Sequence, residues 1–361
     1  MRYKLLGRSG LRVSEICLGA MTFGEEWGWG ASKEESRKMY EAFREAGGNF
    51  IDTANIYTEG TSERYVGEFI ASERDQIVLA TKYSNSMRRG DVNAGGNHRK
   101  SLVQALDASL KRLKTDYVDL YWVHVWDYMT PVEEVMRALD DMVRAGKVLY
   151  IAISDAPAWI ISQANTIAEL KGWTPFVALQ VEYSLIERTP ERDLVPMARA
   201  FDIAILPWSP LGSGVLTGKY SGKQRGDSEG RRLDALKNML SEEWTASILS
   251  ERNLSIAEEV TKIADEIGRT PSQVALNWLR QKPGVVIPII GARKVSHIKD
   301  NLGCLDFRLS DEHMKRLDEV SRIDLGFPHD FANSEEIRNI TFGGTFSSID
   351  NHRRSSAPSQ P

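Results

Sequence analysis

The chain has 361 residues, of which 42% are apolar and 27% charged, a composition that excludes wholesale disorder. Forty-six basic against fifty acidic side chains leave a formal charge of −4 with the signs mixed, which excludes the basic stripe a nucleic-acid backbone requires. Cys17 and Cys304 fit neither a disulfide framework nor a paired-cysteine metal site. With no membrane-length apolar run and no signal-peptide core, a cytoplasmic protein without nucleic-acid or membrane partners is expected.

At the start, YKLLG and LRVSE flank Arg8-Ser9-Gly10 and predict a hairpin over residues 2–14. Eight short, β-branched runs come next: EICLGA from Glu15, NFIDTA from Asn49, QIVLAT from Gln76, YVDLYWVH from Tyr117, VLYIAIS from Val148, VALQVEY from Val177, IAILPWS from Ile203 and VVIPII from Val285. Nearly continuous hydrophobicity bounded by turns suits strands buried on both faces. Helical periodicity fills the gaps. Ser32, three residues before Glu35, predicts a capped helix start, and Ala46-Gly47-Gly48 its stop. Thr61-Ser62-Glu63-Arg64 opens the next helix. SLVQALDASLKRL, PVEEVMRALDDMVRAGK and PERDLVPMARAF repeat apolar residues at helical spacing, with Pro131 and Pro190 in first turns.

Strand starts lie about 26–41 residues apart except before the last, where the gap is 82. Eight strands at this spacing predict an α/β fold, a closed (β/α)8 TIM barrel, with the N-terminal hairpin plugging its base and a long insertion between strands seven and eight. An open doubly wound sheet is the weaker reading, because no GxGxxG turn follows the first strand. The insertion reads as a polar surface loop over 219–240 and helices over about 240–267 and 271–281. One barrel domain is expected over 1–324. An irregular tail follows over 325–361, its last ten residues, HRRSSAPSQP, disordered by composition.

Chemistry on such a barrel gathers at the carboxyl ends of the strands. Those ends carry Asp52, Lys82, His124, Ser154-Asp155, Gln180 and Trp208, with Tyr57 in the loop after Asp52. Asp52 is the natural counter-ion of Lys82. The Lys82 cation would bring down the Tyr57 pKa, while His124 orients an incoming oxygen, a set suited to proton donation coupled to hydride delivery. A structural salt bridge with a bystander tyrosine and histidine is the alternative on spacing alone.

The runs LGAMTFG, FIDTANIYTEGTSE, VLATKY, DYVDLYWVH, SLIERTPERDLVP and PWSPLGSGVLTGKY together resemble the aldo-keto reductase family, over about residues 2–322. The resemblance implies an NADPH-dependent carbonyl reductase with the tetrad Asp52, Tyr57, Lys82 and His124, Tyr57 acting as general acid on a small-molecule carbonyl. For the cofactor it implies Gly19, Ala20 and Met21 under the nicotinamide ribose, and Ser154, Asp155 and Gln180 at the carboxamide. Asp155 stands where the family usually has asparagine. Trp208 would stack on the nicotinamide, and Ser209, Leu211, Ser213 and Gly214 would cradle the pyrophosphate. Gly291, Arg293, Lys294, His297, Asp300 and Asn301 would hold the adenosine end, the arginine favouring NADP over NAD.

Phe23, Trp27 and Trp126, with Tyr57 and His124, are the expected substrate residues. Trp29 and Trp122 share their rim, while Trp159, Trp173, Trp244 and Trp278 read as core or helix packing. His98, His313, His329 and His352 lack metal spacing, so no metal is expected. Two other functions fit parts of the pattern: a Schiff-base aldolase using Lys82, and a nucleotide-binding regulatory subunit with little turnover. Nothing in the sequence specifies an oligomeric state.

Overall fold

The computed structural model describes residues 1–220 and 247–350. After the antiparallel pair β1 (Tyr3–Leu5) and β2 (Arg12–Ser14), eight parallel strands form one sheet. They are β3 (Cys17–Gly19), β4 (Phe50–Asp52), β5 (Val78–Tyr83), β6 (Val118–Val123), β7 (Val148–Ser154), β8 (Phe176–Glu182), β9 (Ala204–Trp208) and β10 (Ile289–Ile290), in the order β10-β3-β4-β5-β6-β7-β8-β9. The seam closes where Ile205 N donates to the Val285 carbonyl at 2.7 Å and Ile287 N to the Ile205 carbonyl at 2.9 Å. The fold is a (β/α)8 TIM barrel.

Strand periodicity builds its interior. Phe50, Ala80, Trp122, Ala152, Ala178 and Leu206 point inward, while Ile51, Leu79, Tyr121, Ile153, Leu179 and Ile205 pack against the outer helices. Leu6 and Val13 from the hairpin join the inner cluster, sealing the base as expected. Two residues further along each strand, the same inward positions are Asp52, Lys82, His124, Ser154, Gln180 and Trp208. The top layer of the barrel interior is therefore polar, and pleat alone delivers every member of it.

Several local expectations change. The run VVIPII yields only the two residues of β10, since Pro288 has no N–H to give the ladder, and Val286 makes a single bridge to Ile205 instead. Residues 325–350 are not irregular throughout: they form short helices over His329–Asn333 and Glu335–Phe342. The second is capped by Ser334, carries Glu335 and Glu336 in its first turn and ends at Gly343. The helix expected over 240–267 runs over Glu251–Ile267 among the described residues. Most of the 219–240 loop, Trp244, His352 and the last ten residues lie outside them. Trp159 is 62% exposed rather than packed.

Candidate active site

Adjacent parallel strands bring the tetrad together. Asp52 closes β4, in register with Ala80, and Lys82 is paired in register with Trp122, two residues before His124. Tyr57 begins the tight turn Tyr57–Gly60 that follows β4. Lys82 is wholly buried, and its ammonium donates to Asp52 Oδ2, to the Thr53 carbonyl at 2.9 Å and to Tyr57 Oη at 3.2 Å. Three donors meet three acceptors. Gln180 Nε2 donates to the other Asp52 oxygen at 3.2 Å. The Tyr57 ring lies edge-on to His124, with centroids 5.7 Å apart, and edge-on to Trp27 at 6.3 Å.

Burial lowers the Lys82 ammonium, but Asp52 and Tyr57 against it outweigh that effect and leave its pKa above the ordinary value. Burial pushes the Asp52 carboxyl up, and Lys82 offsets part of the rise. Tyr57 departs from expectation. Burial raises the phenol by more than Lys82 lowers it, so its pKa stands above that of a free tyrosine rather than below. His124 sits well below the usual histidine value, through burial and then Lys82, which makes it a neutral imidazole near neutrality.

A cavity of about 500 Å³ opens on this cluster. Asp52, Tyr57, His124, Ser154, Asp155, Gln180 and Trp208 line it, as do Gly19, Met21, Ser209, Leu211, Ser213, Gly214, Gly291, Arg293, His297, Asp300 and Asn301. Trp208 Nε1 donates to Asp155 Oδ1 at 3.0 Å. Burial raises the Asp155 carboxyl, and the indole N–H opposes the rise. The buried Ser154 hydroxyl has no partner within ordinary hydrogen-bond geometry among the described residues, only the Asp155 carboxylate nearby, so a polar ligand group could take it up. Ser209, Ser213 and Gly214 all take positive φ, at 51°, 53° and 94°, so the loop turns sharply along this wall, with Gly214 N donating to the Leu211 carbonyl at 3.0 Å. A Cβ on Gly214 would meet Lys219 Nζ at 2.7 Å.

Another wall of the cavity is cationic. Burial and then Lys294, Arg293 and Lys219 hold the His297 pKa down. Among the described residues no carboxylate pairs with Arg293 or Lys294. A nicotinamide dinucleotide, with an amide at one end and phosphates at the other, fits these groups.

The structure separates some residues the sequence grouped. Ala20 and Lys82 lie beneath the cavity lining. Lys294 is exposed at the cap of the helix Val295–Leu302 and does not line it. Phe23 is buried against Phe69, and Trp126 is buried under the rim, so neither reaches the cavity; Trp122 belongs to the barrel interior. Trp29 lines the cavity, and Trp27 borders Tyr57. Asp300 also accepts from Thr270 Oγ1 at 3.2 Å and Gln273 Nε2 at 3.0 Å, which ties it to the start of the helix Pro271–Gln281. Sequence reasoning missed Thr22, Thr217, Lys219 and Ser272. Thr22, Thr217 and Lys219 sit inside motifs that pointed here already.

Known proteins are similar to this chain in sequence. The chain is 42% identical over 339 residues to the aryl-alcohol dehydrogenase (NADP+) of Phanerodontia chrysosporium, covering 89% of this chain and 86% of that protein. It is 38% identical over 337 residues to the norsolorinic acid reductase of Aspergillus flavus, covering 91% and 82%, and 38% identical over 341 residues to the aldo-keto reductase ausK of Aspergillus calidoustus, covering 91% and 84%. The sequence profile of the aldo/keto reductase family matches residues 15–322, which together with these relatives shows that the chain belongs to that family.

Proposed function

We propose that the protein is an NADPH-dependent oxidoreductase that reduces aldehydes or ketones to alcohols, with Tyr57 as general acid. The observation that carries this reading is the Lys82 ammonium on Tyr57 Oη, beside a neutral His124, at the floor of a cavity whose other wall holds Arg293, without an acidic partner among the described residues. The nucleotide supplies the hydride. Tyr57 gives the proton to the carbonyl oxygen, His124 donates a hydrogen bond to that oxygen, and Lys82 stabilises the phenolate left behind. The dehydrogenase and reductase names of the relatives, one of them with NADP+, agree with an aryl carbonyl or alcohol as substrate. Loss of NADPH absorbance with a panel of aromatic aldehydes, ketones and sugars tests it. Nucleotide binding with no turnover across the panel would favour the regulatory subunit. Lys82 is a poor Schiff-base amine, since all three of its N–H groups are engaged and it has no exposure.

Arg293→Ala is expected to weaken NADPH by roughly 10- to 150-fold, the worth of a charge-assisted contact of about 1.5–3 kcal/mol, and NADH far less. Titrations with both nucleotides at two salt concentrations decide it. Equal losses for the two would withdraw the 2′-phosphate role and the NADP preference with it.

Asp155 gives a second handle. The hydride-bearing ring must lie within reach of both the carbonyl and Tyr57, and Asp155 lines the same cavity and acts on the Tyr57 pKa. A carboxylate there favours the cationic, oxidised ring over the neutral reduced one. Asp155→Asn is expected to weaken NADP+ relative to NADPH by roughly tenfold, as for a unit charge several ångströms away at moderate dielectric. The amide also gains a donor to the carboxamide oxygen, which helps both forms alike, so the ratio of the two dissociation constants is the measurement. An unchanged ratio would contradict it.

A further inference from the structure

A neutral histidine offers one donor nitrogen and one acceptor, so what His124 can do depends on which nitrogen carries the proton. Its Nδ1 lies 3.1 Å from Asn85 Nδ2. An amide nitrogen only donates. Nδ1 is therefore the acceptor, the proton resides on Nε2, and the remaining donor is free for the cavity that His124 lines. We propose that Asn85 is the positioning residue that fixes this tautomer, and with it the ability of His124 to donate to the substrate oxygen.

The strand ends around Asn85 are laced together in a way that holds it at this post. Its carbonyl accepts from Asn55 Nδ2 at 3.1 Å, and Asn55 N donates to the Lys82 carbonyl at 3.2 Å. The preceding Ser84 takes φ +90°, a conformation a non-glycine residue keeps only when its surroundings enforce it. They do: Val125 N donates to Ser84 Oγ at 3.1 Å and Gly96 N to the Ser84 carbonyl at 2.8 Å. His124 N in turn donates to the Tyr83 carbonyl at 3.1 Å. Loops after β4, β5 and β6 are thus tied to one another, and the imidazole and the amide are set face to face by backbone bonds on both sides. Burial beside Lys82 keeps the ring neutral, which is the state in which a tautomer exists to be chosen.

The chemistry at position 85 is decided by one atom. A carboxylate of the same shape can only accept, so it would draw the proton to Nδ1 and leave Nε2 as a lone pair facing the carbonyl oxygen. The consequence for turnover rests on the carbonyl-reductase function proposed for the site; the tautomer itself does not.

The test is ¹⁵N spectroscopy of the full chain labelled at histidine, with the His124 signals identified by their loss in His124→Gln. The wild type is expected to show Nε2 protonated and Nδ1 bare across neutral pH. Asn85→Asp is expected to move the proton to Nδ1 and to lower kcat/KM for reduction roughly 10²-fold, with NADPH affinity unchanged. Asn85→Ala should give mixed tautomers and a smaller loss. A wild type protonated on Nδ1 overturns the proposal, as does an Asn85→Asp protein that changes tautomer without losing rate. Should Asn85→Asp fail to fold, the wild-type spectrum and Asn85→Ala still decide. A wild type that binds no nicotinamide nucleotide would instead sink the functional reading, whatever its histidine spectrum shows.

Discussion

Tyr57→Phe is expected to lower kcat by ~10²–10⁴, the usual worth of a positioned acid, while leaving nucleotide affinity nearly intact. Phenylalanine keeps the ring that His124 and Trp27 meet edge-on and removes only the hydroxyl. Lys82 loses one acceptor at 3.2 Å but retains Asp52 and the Thr53 carbonyl, so the buried cation stays compensated and the fold should hold. The raised pKa of Tyr57 gives this role a direction. A phenol held above its ordinary value is protonated throughout the neutral range, the acid form that the proposed reduction would need. On the proposed mechanism the reverse reaction would need phenolate and is expected to accelerate with rising pH. Steady-state rates in both directions with a parallel fluorescence titration provide the check. A kcat within a few-fold of wild type would remove Tyr57 from the mechanism.

That raised pKa also marks where sequence reasoning stops. The neighbourhood of Asp52, Lys82 and Tyr57 was legible, because a two-residue pleat carries inward positions straight up the strands to the rim. The sign of the Tyr57 shift was not, since it depends on how completely the turn Tyr57–Gly60 excludes water from the hydroxyl. The aromatic residues divide in the same way. Trp29 reaches the cavity because its loop is pinched shut by pairing of Phe23 and Gly24 with Ala31. Gly30, at φ +149°, lies so close to the Gly24 carbonyl that a Cβ there would sit 1.9 Å from its oxygen. Trp126 is turned under the rim by a bond from its N to the Asp155 carbonyl at 3.4 Å. Composition and spacing do not encode such loop paths. Asn85 escaped for a related reason: a lone asparagine between two serines is ordinary loop chemistry until the histidine beside it is seen. The helix Glu335–Phe342 is a different case, for its Ser334 cap and acidic first turn were readable in the sequence.

Lys82→Met is expected to cost both stability and chemistry, and the two losses can be separated. Removing the ammonium leaves Asp52 buried with neutral donors, the Gln180 amide at 3.2 Å and the Trp122 indole, and no cation, and breaking a buried pair from one side costs about 3–5 kcal/mol. The Asp52 carboxyl, already pushed up by burial, would rise further in the folded state than in the unfolded one. The folded protein then binds more protons between the two values, so the deficit is full above the folded pKa and shrinks as pH falls through it. For turnover the sign is opposite in origin: Lys82 is what pulls the Tyr57 phenol down, so without it the alkaline limb of alcohol oxidation moves to higher pH and kcat drops by about 10²–10³. Urea midpoints across pH and kcat–pH profiles measure the two effects independently. Asp52→Asn added to Lys82→Met should restore most of the stability, because no uncompensated charge remains in the barrel, yet it should recover none of the rate. A double variant that is both stable and fast would show that the cation serves only to neutralise Asp52, and the electrostatic role of Lys82 at Tyr57 would fall.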